Sequence, residues 1–322
     1  MSDLYPRLLG DVGGTNARFG WQESFGSDIA HVLVLPCADH PSLEVAIQTY
    51  LNQCQLPAPK TCALGIATPI TGDTIRMTNH HWTFSISDMQ RNLGLLKLNV
   101  INDFTALALA IPSISPDHLI QIGGKEALAH APKAIIGAGT GLGVSGLFPV
   151  KDGVDQWVAI AGEGGHATLA AHTETEYRVI ELIRQRYGHV SAERVLSGQG
   201  LVDLYMALRQ LQQRDPIEVT SASVISEWAL KHKDPLAMQS LDMFAGFLGS
   251  VSGDLALTLG ALGGVYLGGG VVPRWLGWFE TSVFRERFEA KGRYREYLQD
   301  IPVWVINAAE SPALLGASRS FN

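Results

Sequence analysis

Twice in this chain a short apolar run ends in a glycine-rich turn and a second apolar run follows at once. RLLGDVGGTNARFGWQ (residues 7–22) does so near the start, and PKAIIGAGTGLGVSGLFPV (132–150) does so in the middle. Each reads as two strands joined by a tight polar turn. After each pair, strand-like runs interleave with helical periodicity, which predicts an α/β protein with predominantly parallel connections in each half. A length of 322 residues fits two domains of roughly 150 each.

In the first half AHVLVL supplies a third strand. A helix is expected over 42–54, with Ser42 as N-cap and Leu43, Ala46, Ile47, Tyr50 and Leu51 on one face. Strand TCALGIAT, a helix near Ser87 opened by a capping box from Ser87 to Gln90, strand KLNVIN and a helix from about Asp103 follow. In the second half WVAIAG is another strand. Helices are expected over 175–187, 191–196, 200–212, 222–232 and 236–259, the last pairing apolar steps of three and four with the small residues Ala245, Gly249, Ser252 and Ala256. Strand GGVYLGG, a helix after Pro273, strand PVWVIN and a short helix from Ser311 close the reading. The boundary is expected at 111–115, where IPSISP interrupts the pattern.

Composition narrows the class. Charged residues are 17% against 46% hydrophobic, which excludes a disordered chain. The net charge is −7 with no long run of either sign, so neither nucleic acid nor an anionic membrane is an expected partner; small molecules are. Leu255 to Val272 carries no charge over 18 residues, but six of them are glycine, which fits a helix end, a turn and a buried strand better than a membrane span. Cys37, Cys54 and Cys62 are odd in number and lack CxxC spacing, which points to a reducing cytoplasm and away from disulfides or structural zinc.

The glycine-rich turns carry the first chemistry. GDVGGTNAR (10–18) can present free backbone N–H groups to an anion with Asp11 facing it, or can be an ordinary hairpin turn. GAGTGLG (137–143) repeats the design and matches neither the dinucleotide fingerprint nor a Walker A loop. If Gly139 and Gly141 let the backbone approach a phosphate, a Cβ at either position should obstruct that approach, so Gly141→Val should selectively weaken binding of the phosphate-bearing ligand. GGGVVPR (268–274) offers a flat surface for a base or ribose, or a tight strand-to-helix turn.

Polar residues in apolar surroundings carry the rest. Asn102 and Asp103 follow LNVI at the carboxyl end of a buried strand, where open α/β sheets bind ligands, although Asp103 could equally cap the next helix. GEGGH places Glu163 and His166 on a glycine-rich loop, functional or merely solvated. Glu193 lies in the first turn of a helix capped by Ser191, where a carboxylate also suits the helix dipole.

Taken together, GDVGGTNAR, TPITGD, MTNHHW, INDFTA, GAGTGLG, GEGGH, GHVSAERVLSG, GGVYLGGGVVPR and KGRYREY resemble the bacterial glucokinase family of the hexokinase and actin-like ATPase superfamily, from about residue 8 to 316. The cysteine-rich zinc signature of the repressor/open-reading-frame/kinase sugar kinases has no counterpart here. The resemblance implies a two-domain actin-like ATPase (ribonuclease H-like) α/β fold with a cleft between the domains. A small domain would span 1–113, with 303–322 returning to it, and a large one 114–302. It implies an ATP-dependent kinase giving glucose 6-phosphate and ADP at the entry to glycolysis, in the cytoplasm, as a homodimer. It further implies Gly10, Asp11, Val12, Gly13, Gly14, Thr15, Asn16, Gly139, Thr140, Gly141, Gly269 and Gly270 at ATP, and Asp11 near Mg2+. Asn102, Asp103, Glu163, His166 and Glu193 would be sugar ligands, with Asp103 as base toward the 6-hydroxyl. A kinase of another hexose, a polyphosphate-using glucokinase and an idle sugar sensor remain alternatives.

Overall fold

The structure is a computed structural model and describes residues 2–150, 156–215, 217–219, 221–308 and 312–321. It divides into two compact units, Met1–Ser115 with Val150–Ala161 and Ala308–Asn322, and Pro116–Pro149 with Gly162–Asn307.

In chain order the first stretch runs β1 (Arg7–Val12), β2 (Asn16–Gln22), β3 (Ala30–Pro36), α1 (Leu43–Gln53), β4 (Thr61–Ile66), β5 (Thr74–Arg76), β6 (Thr83–Ser85), α2 (Ile86–Asn92), β7 (Lys97–Asn102) and α3 (Asp103–Ala110). Next come β8 (Leu119–Gln121), β9 (Lys133–Ala138), β10 (Leu142–Pro149) and β11 (Trp157–Ala161). The helical stretch holds α4 (Glu174–Tyr187), α5 (Ala192–Val195), α6 (Gly198–Leu211), α7 (Ala222–Leu230) and α8 (Pro235–Leu259). The chain closes with β12 (Val265–Gly268), α9 (Leu276–Phe279), α10 (Phe284–Glu289), α11 (Arg295–Asp300), β13 (Val303–Ile306) and α12 (Ala313–Arg319).

The first unit's sheet has the order β3-β2-β1-β4-β7. β1, β4 and β7 are parallel and β2 and β3 antiparallel to their neighbours, as the hairpin and the later alternation predict. Local chemistry sets the helix starts. Ser42 caps α1 by accepting the Val45 N–H at 3.2 Å. α2 starts two residues earlier than expected: Ser85 accepts the Asp88 N–H, while Ser87 donates both its N–H and its hydroxyl to Asp73 and so is not the cap.

Within the second unit the strands run β10-β9-β12-β13-β8, with β9, β12 and β13 parallel. β13 therefore belongs to this sheet, and the return of the chain to the first unit begins at 308, not at 303. The reason is register: Val303 and Val305 are fully buried opposite Val265 and Leu267. The long α8 is the spine of the core, with Leu241, Phe244, Phe247 and Leu248 buried. Its small residues serve a neighbour, since Gly249 and Gly253 face the backbone carbonyls of Phe284 and Phe288 on α10. Beyond Pro273 the expected helix is a 3-10 turn (Val272–Trp275) and the short α9. Ser311 lies outside the described residues, and the last helix is α12. All three cysteines are free, and among the described residues no helix is long and apolar enough to cross a membrane.

The final helix is bolted to the first unit. Arg7, 5% exposed, stacks on the rings of Tyr5 and Phe321 and donates to the Ser318 carbonyl at 3.2 Å. α12 also lies against α3 so closely that a Cβ on Gly316 would fall 1.6 Å from the Ala106 carbonyl oxygen. Alanine ordinarily improves a helix by about 1 kcal/mol over glycine. Forcing these backbones apart costs roughly 1–3 kcal/mol or more, so sterics decide the sign. Gly316→Ala is expected to lower the urea midpoint; an unchanged or raised midpoint would mean the two helices are not packed this closely.

Candidate active site

In the first unit, parallel register brings the carboxyl ends of three strands together. Asp11 on β1 is level with Gly65 on β4, which is level with Ile101 on β7, and one step further Val12, Ile66 and Asn102 align. Gly10 and Val12 are buried in the body of β1, so the structure gives them to the core. Asp11, Gly13, Gly14, Thr15 and Asn16 reach the surface where β1 turns into β2. The turn is held from both sides. Gly13 N–H donates to the Asn16 carbonyl at 2.9 Å, and Cys37 N–H donates to the Thr15 carbonyl at 2.8 Å. Asp11 lies 3.6 Å from the Arg18 guanidinium across the hairpin.

At the end of β7 the work is divided between two neighbours. Asn102, not Asp103, is the N-cap of α3: its Oδ1 accepts from the N–H groups of Phe104 at 2.9 Å and Thr105 at 3.2 Å. This network fixes the amide orientation and turns Nδ2, a donor, toward the Thr68 carbonyl at 3.5 Å. Asp103 opens the helix, its Oδ1 accepting the Phe104 N–H at 2.8 Å. Asn79, absent from the expected set, lies over the turn so closely that a Cβ on Gly14 would be 2.8 Å from its Cβ. The MTNHHW string was the signal available. Beside it the rings of His80 and His81 lie tilted against each other with centroids 4.3 Å apart, and burial, then the neighbouring imidazole, hold His80 below the usual histidine range.

In the second unit, two glycine turns leave adjacent strands β9 and β12 and touch backbone to backbone. A Cβ on Gly137 would meet Gly268, and one on Gly269, which also has φ +77°, would meet the Ala138 carbonyl at 2.3 Å. Gly139, Thr140 and Gly141 form the tip of the first turn. Gly139 donates to the Gly141 carbonyl and accepts from the Gly198 N–H, at 2.8 and 2.9 Å. Gly269 and Gly270 are exposed beside a cavity of about 300 Å³ lined by Ala222, Ser226, Glu227, Val271, Arg274 and Trp275, residues outside the expected set. A larger cavity, about 520 Å³, is lined by residues of α4, of α6 and of the turn after α6, and includes none of the glycine turns.

GEGGH, expected as a glycine-rich loop, contains a 3-10 turn (Gly164–His166) and leaves Glu163 and His166 exposed. Glu193 sits on α5, whose cap is Ser191 as expected. Its carboxylate does more than face a helix dipole: Oε2 accepts the Leu142 N–H at 2.9 Å, and Oε1 lies 3.8 Å from His166 Nε2. The structure thus groups Glu163, His166 and Glu193 around the start of β10, and groups Asp11, Asn102 and Asp103 on one edge of the other sheet.

A family model described as Glucokinase matches residues 8–322. The chain belongs to the glucokinase family. Among its relatives, a glucokinase of Aromatoleum aromaticum is 50% identical over 322 residues, which is all of this chain and 96% of that one. A Neisseria meningitidis glucokinase is 48% identical across 99% of this chain and 95% of its own length. The crystal structure of a glucokinase from an Antarctic psychrotroph superposes with a TM-score of 0.86 at 34% identity, covering 98% of each chain. The fold is therefore the two-domain actin-like ATPase fold of glucokinases.

Because Asn102 carries the cap, loss of stability and loss of chemistry should separate between these two residues. Asn102→Ala is expected to cost about 1 kcal/mol by urea denaturation, while Asp103→Asn costs a few tenths at most. Equal costs would show that Asp103 shares the capping.

Proposed function

We propose that the protein is an ATP:D-glucose 6-phosphotransferase in which Asp103 is the catalytic base. The observation that carries the assignment is Asp103 at the carboxyl end of β7, one residue beyond an amide already committed to capping, in a chain of the glucokinase family. As the 6-hydroxyl oxygen attacks the γ-phosphorus, the new O–P bond forms, the bond to the β-phosphate oxygen breaks, and Asp103 takes the hydroxyl proton. ADP leaves with the electron pair. Asn102 cannot replace it, since an amide does not accept a proton at neutral pH. Asn102 Nδ2 donates to a sugar hydroxyl, and Glu163, His166 and Glu193 hold ring hydroxyls.

The nucleotide is held chiefly by backbone. With the Gly13 and Gly139 N–H groups closing their own turns, the remaining N–H groups of turns 13–16 and 139–141 are the ones offered to phosphate oxygens, and Gly269 and Gly270 leave room for adenosine toward the cavity at Trp275. Asp11 fits Mg2+ as a single carboxylate, because this ion takes one or two carboxylates together with nucleotide phosphates and water. Bound there, the ion neutralises charge on the phosphates. Cytoplasmic location and a dimeric state complete the reading.

Gly141 cannot serve as the selective nucleotide probe expected from its spacing, because a Cβ there would lie 2.4 Å from Glu193 Oε2 and disturb a sugar ligand as well. Gly139 faces open space. Gly139→Val is therefore expected to raise the KM for ATP by at least about tenfold, because a branched side chain in that open space obstructs the approach of phosphate to the turn, with the KM for glucose nearly unchanged. Parallel rises in both constants would remove Gly139 from the nucleotide site. Asp103→Asn is expected to fold, to bind glucose within an order of magnitude, and to lose at least ~10²-fold in kcat in a coupled ADP-release assay. Normal turnover would exclude it as the base.

A further inference from the structure

Glu193 is well placed to do two things at once. Its helix is short but firmly seated, with Val195 and Leu196 fully buried and Ala192 nearly so, while the carboxylate itself is about one-third exposed. Oε2 accepts the N–H of Leu142, the first residue after the nucleotide turn, at 2.9 Å. Gly141, within that turn, has no Cβ to push the same oxygen away. Oε1 lies 3.8 Å from His166 Nε2, beyond direct hydrogen-bond range, and is left for a third partner. One oxygen thus engages the nucleotide turn and the other looks toward the sugar loop.

We propose that Glu193 is a positioning residue for the turn at 139–141 as well as a sugar ligand, so that sugar and nucleotide binding are coupled through this one carboxylate. The inference rests on the glucokinase reading. A sugar hydroxyl on Oε1 fixes the side-chain torsions that also aim Oε2 at Leu142, so the ordering cost is met once and the nucleotide finds its turn already held. By linkage the effect is reciprocal: each ligand raises the affinity of the other by the same factor.

Calorimetry on the full chain tests this with glucose and a non-hydrolysable ATP analogue plus Mg2+, each titrated alone and in the presence of the other. The wild-type chain is expected to show a coupling factor of about fivefold or more, equal in both directions. Glu193→Ala should weaken binding of the analogue without sugar by at least about tenfold and abolish the coupling. Glu193→Gln keeps an oxygen for the Leu142 N–H, so its affinity for the analogue alone should stay within about threefold while glucose binding falls. Analogue affinity in Glu193→Ala equal to wild type would make Glu193 a sugar ligand only and overturn the proposal. Should that variant unfold, Gly141→Ala takes its place by displacing the same oxygen from the turn side: both ligands should weaken, and unchanged glucose affinity overturns the proposal. A wild-type chain that binds neither ligand instead overturns the glucokinase reading itself.

Discussion

Backbone-to-backbone contact at the ends of β9 and β12 is the constraint on which the second unit's chemistry depends. Parallel strands lie about 4.8 Å apart, and no side chain intervenes between the turns that leave them. Gly137 against Gly268, and Gly269 against Ala138, set the spacing of two loops by peptide planes alone. Loops so held can direct N–H groups outward without a rotamer to order first. The remaining pieces attach to that frame: Gly198 at the start of α6 donates to Gly139, and Glu193 takes the N–H that follows the turn.

The first unit solves the equivalent problem with register. β1, β4 and β7 run level, so Asp11 and Asn102 come to one edge although 91 positions separate them in the chain. Gly65, at the same level on the middle strand, leaves room for the Asp103 Cα at 3.7 Å from where its Cβ would be and for Ala106 at 3.1 Å. The helix bearing the proposed base is thereby pressed onto the sheet that bears the proposed metal ligand. A larger residue at 65 would lift α3 and move Asp103 without touching it.

Much of this is legible in the sequence because it is local. The two strand–turn–strand pairs, the Ser42 and Ser191 caps and the spine of α8 follow from periodicity and from side chains within four residues of one another. What escapes depends on distant partners. Ser87 has the spacing of a cap, but Asp73 claims it. Asn102 and Asp103 are equally good cap formers side by side, and only the torsions at the strand end choose Asn102. β13 is read correctly as a strand, yet its sheet is decided by pairing with β12 across the fold. Glu193 looks like a dipole-compensating carboxylate because its partner, Leu142, is 51 positions away. The 3-10 turn in GEGGH is shorter than any pattern-based window can register.

The docking of α12 on α3 has a bearing on how the molecule comes into being. A ribosome delivers β1 to α3 well before Gly316, with about 200 residues made in the interval; at 5–20 residues per second that is roughly 10–40 s. Throughout that time the face of α3 at Ala106, and the Arg7 guanidinium that later receives the Ser318 carbonyl and the Phe321 ring, lack their final cover. The second unit, made of 116–149 and 162–307, is synthesised in full before α12 can close the first. Maturation of the segment bearing Asp103 thus waits for synthesis of α12, and a nascent chain stalled short of that helix carries an apolar seam open to chaperones.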